Sequence, residues 1–222
     1  MSTPRPWTFA RRLTLYLASV AVIGTGVTLM VRADLGVAPN DVMNTGLADR
    51  LGIGVGAASW LTAAIAMALA WSLGRPPRLA TVLGGVVVGG SITGSLAVMP
   101  EVDAFGWRAV ALVAGLGIIW VGLTGVVATD VGAGALELIM LALMDRRVGI
   151  SAARWGIELI LLAIGVLLGG AVGVGTAAFA LGTGPVLART LPPVTRHLGT
   201  SLHRQPDTVL AASADGRDQR RQ

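Results

Sequence analysis

The sequence predicts an all-α polytopic membrane protein. Six transmembrane helices form an inverted 3+3 repeat, and each half carries a short interrupted, re-entrant or interfacial helix after its first span. Three observations predict this. The 222 residues are 54% hydrophobic and 13% charged, well under the roughly 25% charge usual for soluble domains, and the mean hydropathy is +0.73. Six stretches approach the roughly 20 apolar residues that a bilayer core requires. The chain also resembles itself at an offset of 96 residues.

A basic cytoplasmic N-terminus, 1–12, precedes a first three-span repeat over 13–100. A second repeat over 101–194 and a polar, disordered cytoplasmic tail over 195–222 complete the division. The expected spans lie at about Leu13 to Val31, Ala57 to Leu73, Leu79 to Met99, Arg108 to Ala128, Ala152 to Gly170 and Gly175 to Leu191. The first follows Arg11 and Arg12 as a secretory signal would. Its partner in the repeat is internal, however, so it reads as a span. Prolines in "RPPR", Arg75 to Arg78, force a tight turn, and "GGAVGVG", Gly169 to Gly175, reads as a second short turn.

The first span runs into "RADLGVAPND", Arg32 to Asp41, and the fourth into "ATDVGAGALE", Ala128 to Glu137. At the repeat offset Asp34 answers to Asp130, Gly36 to Gly132 and Asp41 to Glu137. Gly26, Thr28 and Val31 likewise answer to Gly122, Thr124 and Val127, and "LADR" at Leu47 to "LMDR" at Leu143. After a one-residue slip Leu73, Gly74, Thr81 and Gly89 meet Leu168, Gly169, Thr176 and Gly184. Three spans per half is an odd number, so the second half enters the membrane upside down.

With the N-terminus inside, the cytoplasmic segments carry 14 arginines. Arg32, Arg50 and Arg108 stay outside, a bias that places both termini in the cytoplasm of a bacterial inner membrane. The formal charge of +5 therefore reads as topology and not as a nucleic-acid surface. All 17 basic residues are arginine, which excludes a lysine-containing phosphate loop and a Schiff base. The lack of cysteine excludes disulfides and thiolate metal sites. No nucleophile and base pair is evident, so neither an enzyme, a cofactor nor a metal is expected.

Each interruption is followed by a short helix pattern. Asn40 or Asp41 is placed to cap the first and Gly52 to end it, while Ala135 to Met144 forms the second. Two readings fit. Gly36, Pro39, Gly132 and Gly134 break the backbone, and Asp34, Asp41, Asp130 and Glu137 line a polar cavity for a small solute, an ion or a proton. Alternatively, the acids are helix caps and the glycines only let the chain turn. Glu158 lies in the apolar zone four residues after Arg154, and the two form either a structural pair or part of the same site. Glycines four apart, at Gly85 and Gly89, Gly90 and Gly94, Gly165 and Gly169, and Gly169 and Gly173, read as close helix packing. Such small-residue faces also allow a homo-oligomer. Trp60, Trp71, Trp107 and Trp155 stand near span ends as interfacial anchors, and Trp120 is mid-span as a core filler.

"ADLGVAPNDVMNTGLADRLGIGVGAAS", Ala33 to Ser59, resembles the signature of the bacterial YczE/YyaS/YitT group of integral membrane proteins. The likeness returns in "DVGAGALELIMLAL", in Arg154 with Glu158, and in "LGGAVGVGTAAFAL" at Leu167 to Leu181, and covers about residues 10 to 190. Two departures stand out. Asn40 replaces an aromatic residue, and Ala135, Leu136 and Glu137 stand where proline, a basic residue and aspartate are usual. The resemblance implies a multi-pass membrane protein of unassigned biochemical activity. The expected function is a small-solute or ion permease with its site at the repeat interface; the alternative is a non-transporting membrane scaffold or accessory protein.

Overall fold

A computed structural model describes residues 7–199, apart from the side chains at 150 and 151. Among the described residues the chain is wholly helical: α1 (Phe9–Ala33), α2 (Pro39–Leu51), α3 (Val55–Ser72), α4 (Leu79–Val98), α5 (Phe105–Thr129), α6 (Ala135–Met144), α7 (Ile150–Leu167) and α8 (Val174–Leu198). The six apolar stretches fall on α1, α3, α4, α5, α7 and α8, and the two short patterns on α2 and α6. Four helices, α1, α3, α4 and α5, are long and apolar enough to cross a membrane by length and composition. Large apolar side chains such as Ile65, Leu69, Val113, Val121, Leu159 and Leu181 are exposed, as suits contact with lipid chains.

Two helices run past the expected segment boundaries. Helix α1 begins at Phe9, so Arg11 and Arg12 lie within it and not in a preceding segment. Helix α8 continues through Pro192 and Pro193 to Leu198, with Thr195 and Leu198 buried, so the chain is still folded where a tail was expected to begin. The rest of that tail lies outside the described residues.

The centre of the molecule is the α1–α5 pair. Gly26 meets Gly115 and Ile119, and Gly122 meets Ser19 and Ile23. A Cβ on Gly26 would approach the Gly115 carbonyl to 2.9 Å, and one on Gly122 the Ser19 carbonyl to 2.8 Å, so the lack of a side chain sets the interhelix distance. Each contact maps onto the other at the 96-residue offset. Val27, Met30, Leu116 and Ile119 fill the pair's core together with Ile92 of α4 and Val42 of α2. Helix α4 flanks α1, and α8 flanks α5.

The short helices cross between the halves of the sequence: α2 packs on α7, and α6 packs on α3. Gly165 receives Val42, and Gly46 receives Leu168. Ala66 and Ala70 of α3 receive Leu138 and Ile139 of α6. The four-apart glycines divide. Gly89 accommodates Trp60, Gly165 accommodates α2, and Gly173 lies against Leu35 and Gly36. Gly94 meets nothing nearby, and Gly169 instead turns the chain with φ of 86°. Trp120 does more than fill space, because its Nε1 donates to Thr183 Oγ1 at 3.1 Å and ties α5 to α8. Trp60 Nε1 likewise donates to the Val86 carbonyl at 3.0 Å.

Candidate functional site

Asp34 and Asp130 are the residues after α1 and α5, and both adopt the left-handed conformation, with φ of 49° and 47°. A helix end leaves carbonyls without intrahelical partners. Here an arginine from the other central helix supplies the donors. Arg108 Nε donates to the Ala33 carbonyl at 2.7 Å, and its Nη2 to the Asp34 carbonyl at 2.6 Å and to Asp34 Oδ2 at 2.7 Å. Arg12 Nε donates to the Thr129 carbonyl at 2.6 Å and its Nη2 to the Asp130 carbonyl at 3.0 Å, with Asp130 Oδ2 at 3.6 Å. Arg12 and Arg108 stand at the repeat offset, so this is one device used twice. Each arginine begins one helix and closes the end of its antiparallel neighbour, where the helix dipole favours positive charge.

A second pair of arginines repeats the pattern. Arg50, at the end of α2, donates to the Leu168 carbonyl at 3.3 Å, and Arg146, just after α6, to the Leu73 carbonyl at 2.8 Å. Both acceptors lie at the ends of the helices on which the short helices pack. The residues were visible in the sequence as "LADR" and "LMDR", but their partners were not.

This geometry corrects the expected meeting of the two interrupted stretches. They occupy opposite ends of the α1–α5 pair, and Arg12 and Asp34 alone are separated by on the order of 33 Å along α1. Asp34 and Asp130 are exposed caps. The expected N-caps also differ. Ala38 is the N-cap of α2, Pro39 opens the helix, and Asp41 lies in its first turn; Gly134 is the N-cap of α6, and Glu137 lies in its first turn, exposed. Gly36 is packed against Gly173 across the fold and has φ of 101°, and Gly132 lies against Ala80. Arg154 Nε donates to Glu158 Oε1 at 3.1 Å, an i, i+4 pair with Glu158 only half-buried.

At the α1 C-terminal end Arg32, Asp34, Glu101, Asp103 and Arg108 line a charged cleft of about 330 Å³. Arg32 pairs with Glu101 at 3.2 Å and donates to the Leu96 carbonyl at 2.8 Å. At the other end, Arg75 clasps Asp145 through two contacts, one of 2.6 Å, joining the α3–α4 turn to the end of α6. That hydrogen bond, together with the charges of Arg75 and Arg146, holds the Asp145 carboxyl below its ordinary range.

One predicted acid differs in kind. Asp41 is buried, as are Asn44 and Thr45 beside it on α2. Asn44 Nδ2 donates to Asp41 Oδ1 at 3.1 Å. Thr45 Oγ1 donates to the Val42 carbonyl and accepts from the Ala171 amide at 3.0 Å, tying α2 to the α7–α8 turn. The buried oxygens Asn40 Oδ1 and Asn44 Oδ1 have no hydrogen-bond partner among the described residues. Helix α6 carries Leu136, Glu137, Met140 and Leu141 at the matching positions, so this polar face exists once. The reading of the sequence missed Asn44, although its spacing from Asn40 and Asp41 puts all three on one face. Among the described residues no group of three or more histidines, cysteines or acids is placed to hold a metal ion.

The chain is similar to the uncharacterised membrane protein YczE of Bacillus subtilis (strain 168), 26% identical over 204 residues that cover 90% of this chain and 95% of the relative. It is also similar to an uncharacterised protein of Haemophilus influenzae, 26% identical over 178 residues, 80% of this chain and 82% of the relative. No solved structure gives a significant match. The model of the family of unknown function DUF6198 matches residues 10–191, the whole helical body from α1 to the middle of α8. The chain therefore belongs to the DUF6198 family and is a YczE-like membrane protein.

Proposed function

We propose that this protein is a small-solute or ion permease of the bacterial inner membrane, built as six spans in an inverted 3+3 repeat with both termini in the cytoplasm. Its site lies on α2, where the two halves of the sequence meet. The observation that carries the reading is the polar face of half-buried Asn40 and buried Asp41 and Asn44, with buried amide oxygens on Asn40 and Asn44 that no described group satisfies. Polar and ionisable groups inside a membrane bundle are costly and mark substrate or ion paths. The repeated arginine caps and the reciprocal glycine contacts support an inverted pair of halves, because each maps onto its partner with helix direction reversed. A short helix that packs across the halves is also the element through which rocking of one half would reach the site.

The second reading is a non-transporting scaffold or accessory protein. It draws on Asp34, Asp130 and Glu158, each of which has an arginine partner and a structural role. Alternate access separates the two. Met43, half-buried on α2 against Gly165, is replaced by cysteine in a chain that has no other. A permease labels at this position with a membrane-impermeant maleimide both in intact cells and in inside-out vesicles. Labelling from one side alone, or from neither, contradicts a permease and favours the scaffold.

A further inference from the structure

The permease reading leaves open which ligand chemistry the α2 face serves. Asn40, Asp41 and Asn44 are three and four residues apart and share a helix face. Asn44 is fully buried and Asp41 is 7% exposed. Among the described residues no arginine forms an ion pair with Asp41, in contrast to Asp34, Asp130, Asp145 and Glu158. The face therefore combines a carboxylate with two buried amide oxygens that accept from no donor. It is rich in acceptors and short of positive charge. A buried charge is costly unless it is paired or coordinates a cation.

We infer that α2 binds one alkali-metal cation through Asp41 and the side-chain oxygens of Asn40 and Asn44. The donor set is oxygen only, which suits hard cations, and transition metals that favour imidazole or thiolate find neither on α2. One carboxylate balances one positive charge. Calcium takes six to eight oxygens, typically with several carboxylates among them, and the buried face of α2 offers one, since Asp49 is exposed. In the occupied state the Asn44 amide turns its oxygen to the ion in place of the Nδ2 that now meets Asp41, a rotation that exchanges donor and acceptor ends of one planar group. The site occurs once per chain, since Leu136 and Met140 replace the asparagines on α6.

This inference deepens the permease reading, but its test involves no transport. The full chain is purified in detergent in choline chloride, and its melting temperature is followed as choline is replaced by sodium or potassium at constant ionic strength. A saturable rise with either ion is expected, absent in Asp41→Asn and retained in Glu137→Gln. In Asn44→Ala the half-saturating concentration is expected to rise about tenfold, the scale of one lost ligand to a charged group. If neither ion raises the wild-type melting temperature, or if Asp41→Asn responds as the wild type does, the cation site is overturned. A rise on acidification alone overturns it too, because a proton would then neutralise Asp41. Loss of the cation response leaves alternate labelling at Met43 untouched, and one-sided labelling at Met43 leaves the cation response untouched, so the two failures are distinct.

Discussion

Arg108 satisfies two carbonyls and a carboxylate with one guanidinium, and Arg12 does nearly the same at the other end of the central pair. Replacing either by alanine leaves a helix end without donors. Arg108→Ala is expected to destabilise the protein by about 1–2 kcal/mol, the range of a partly exposed charge-assisted cap, read as a lower thermal midpoint in detergent. Arg108→Lys should recover only part of the loss, because a point charge cannot fork across three acceptors. The Arg75–Asp145 clasp carries a pH signature. The Asp145 carboxyl is lowered in the folded state, so its contribution is present above the unfolded value of about 3.9 and is lost as pH falls through the folded value. The melting difference between wild type and Asp145→Asn should therefore stay constant between about pH 8 and about pH 5 and shrink below about pH 4. Both groups are exposed, so the difference itself is small. The capping acids were legible as sequence features because a charged residue after an apolar run is conspicuous. Their partners were not, because Arg12 lies 118 residues from Asp130 and Arg108 74 residues from Asp34, and only folding brings an antiparallel neighbour to a helix end. Asn44 escaped notice for another reason: an asparagine on a short polar helix looks solvated until packing buries it.

At the scale of helices, glycine does two separate jobs that spacing alone does not sort. Gly122 carries the α1–α5 approach, and a Cβ there meets the Ile23 side chain at 2.6 Å and the Ser19 carbonyl at 2.8 Å. Gly117, on the same helix, meets nothing nearby. Gly117→Ala should be neutral or stabilise by up to about 1 kcal/mol through helix propensity. Gly122→Ala should instead lower the yield of folded protein and its melting temperature, because the clash is partly with backbone that cannot rotate away. Equal behaviour of the two variants would remove the close α1–α5 contact from the account. The element boundaries most readable in the sequence were the turns fixed by proline and glycine. The ends of α1 and α8 were less so, since arginines and prolines that normally mark a boundary are absorbed into these helices by tertiary contacts. The crossing of α2 onto α7 and of α6 onto α3 left no sequence signal beyond the repeat itself.

For the whole molecule, the proposed permease requires that the two halves insert in opposite orientations around the α1–α5 pair, with the single polar face of α2 on one side. The reciprocal arginine and glycine contacts support it, and so does the exchange of short helices between halves. Asp49 and Asp145 are exposed positions at the 96-residue offset, Asp49 near the end of α2 and Asp145 just after α6. Single cysteines at Asp49 and Asp145, introduced separately into the cysteine-free chain, give the most direct test with a membrane-impermeant maleimide. Asp49→Cys should label in intact cells and Asp145→Cys only in inside-out vesicles. Labelling of both from the same side would contradict the inverted arrangement.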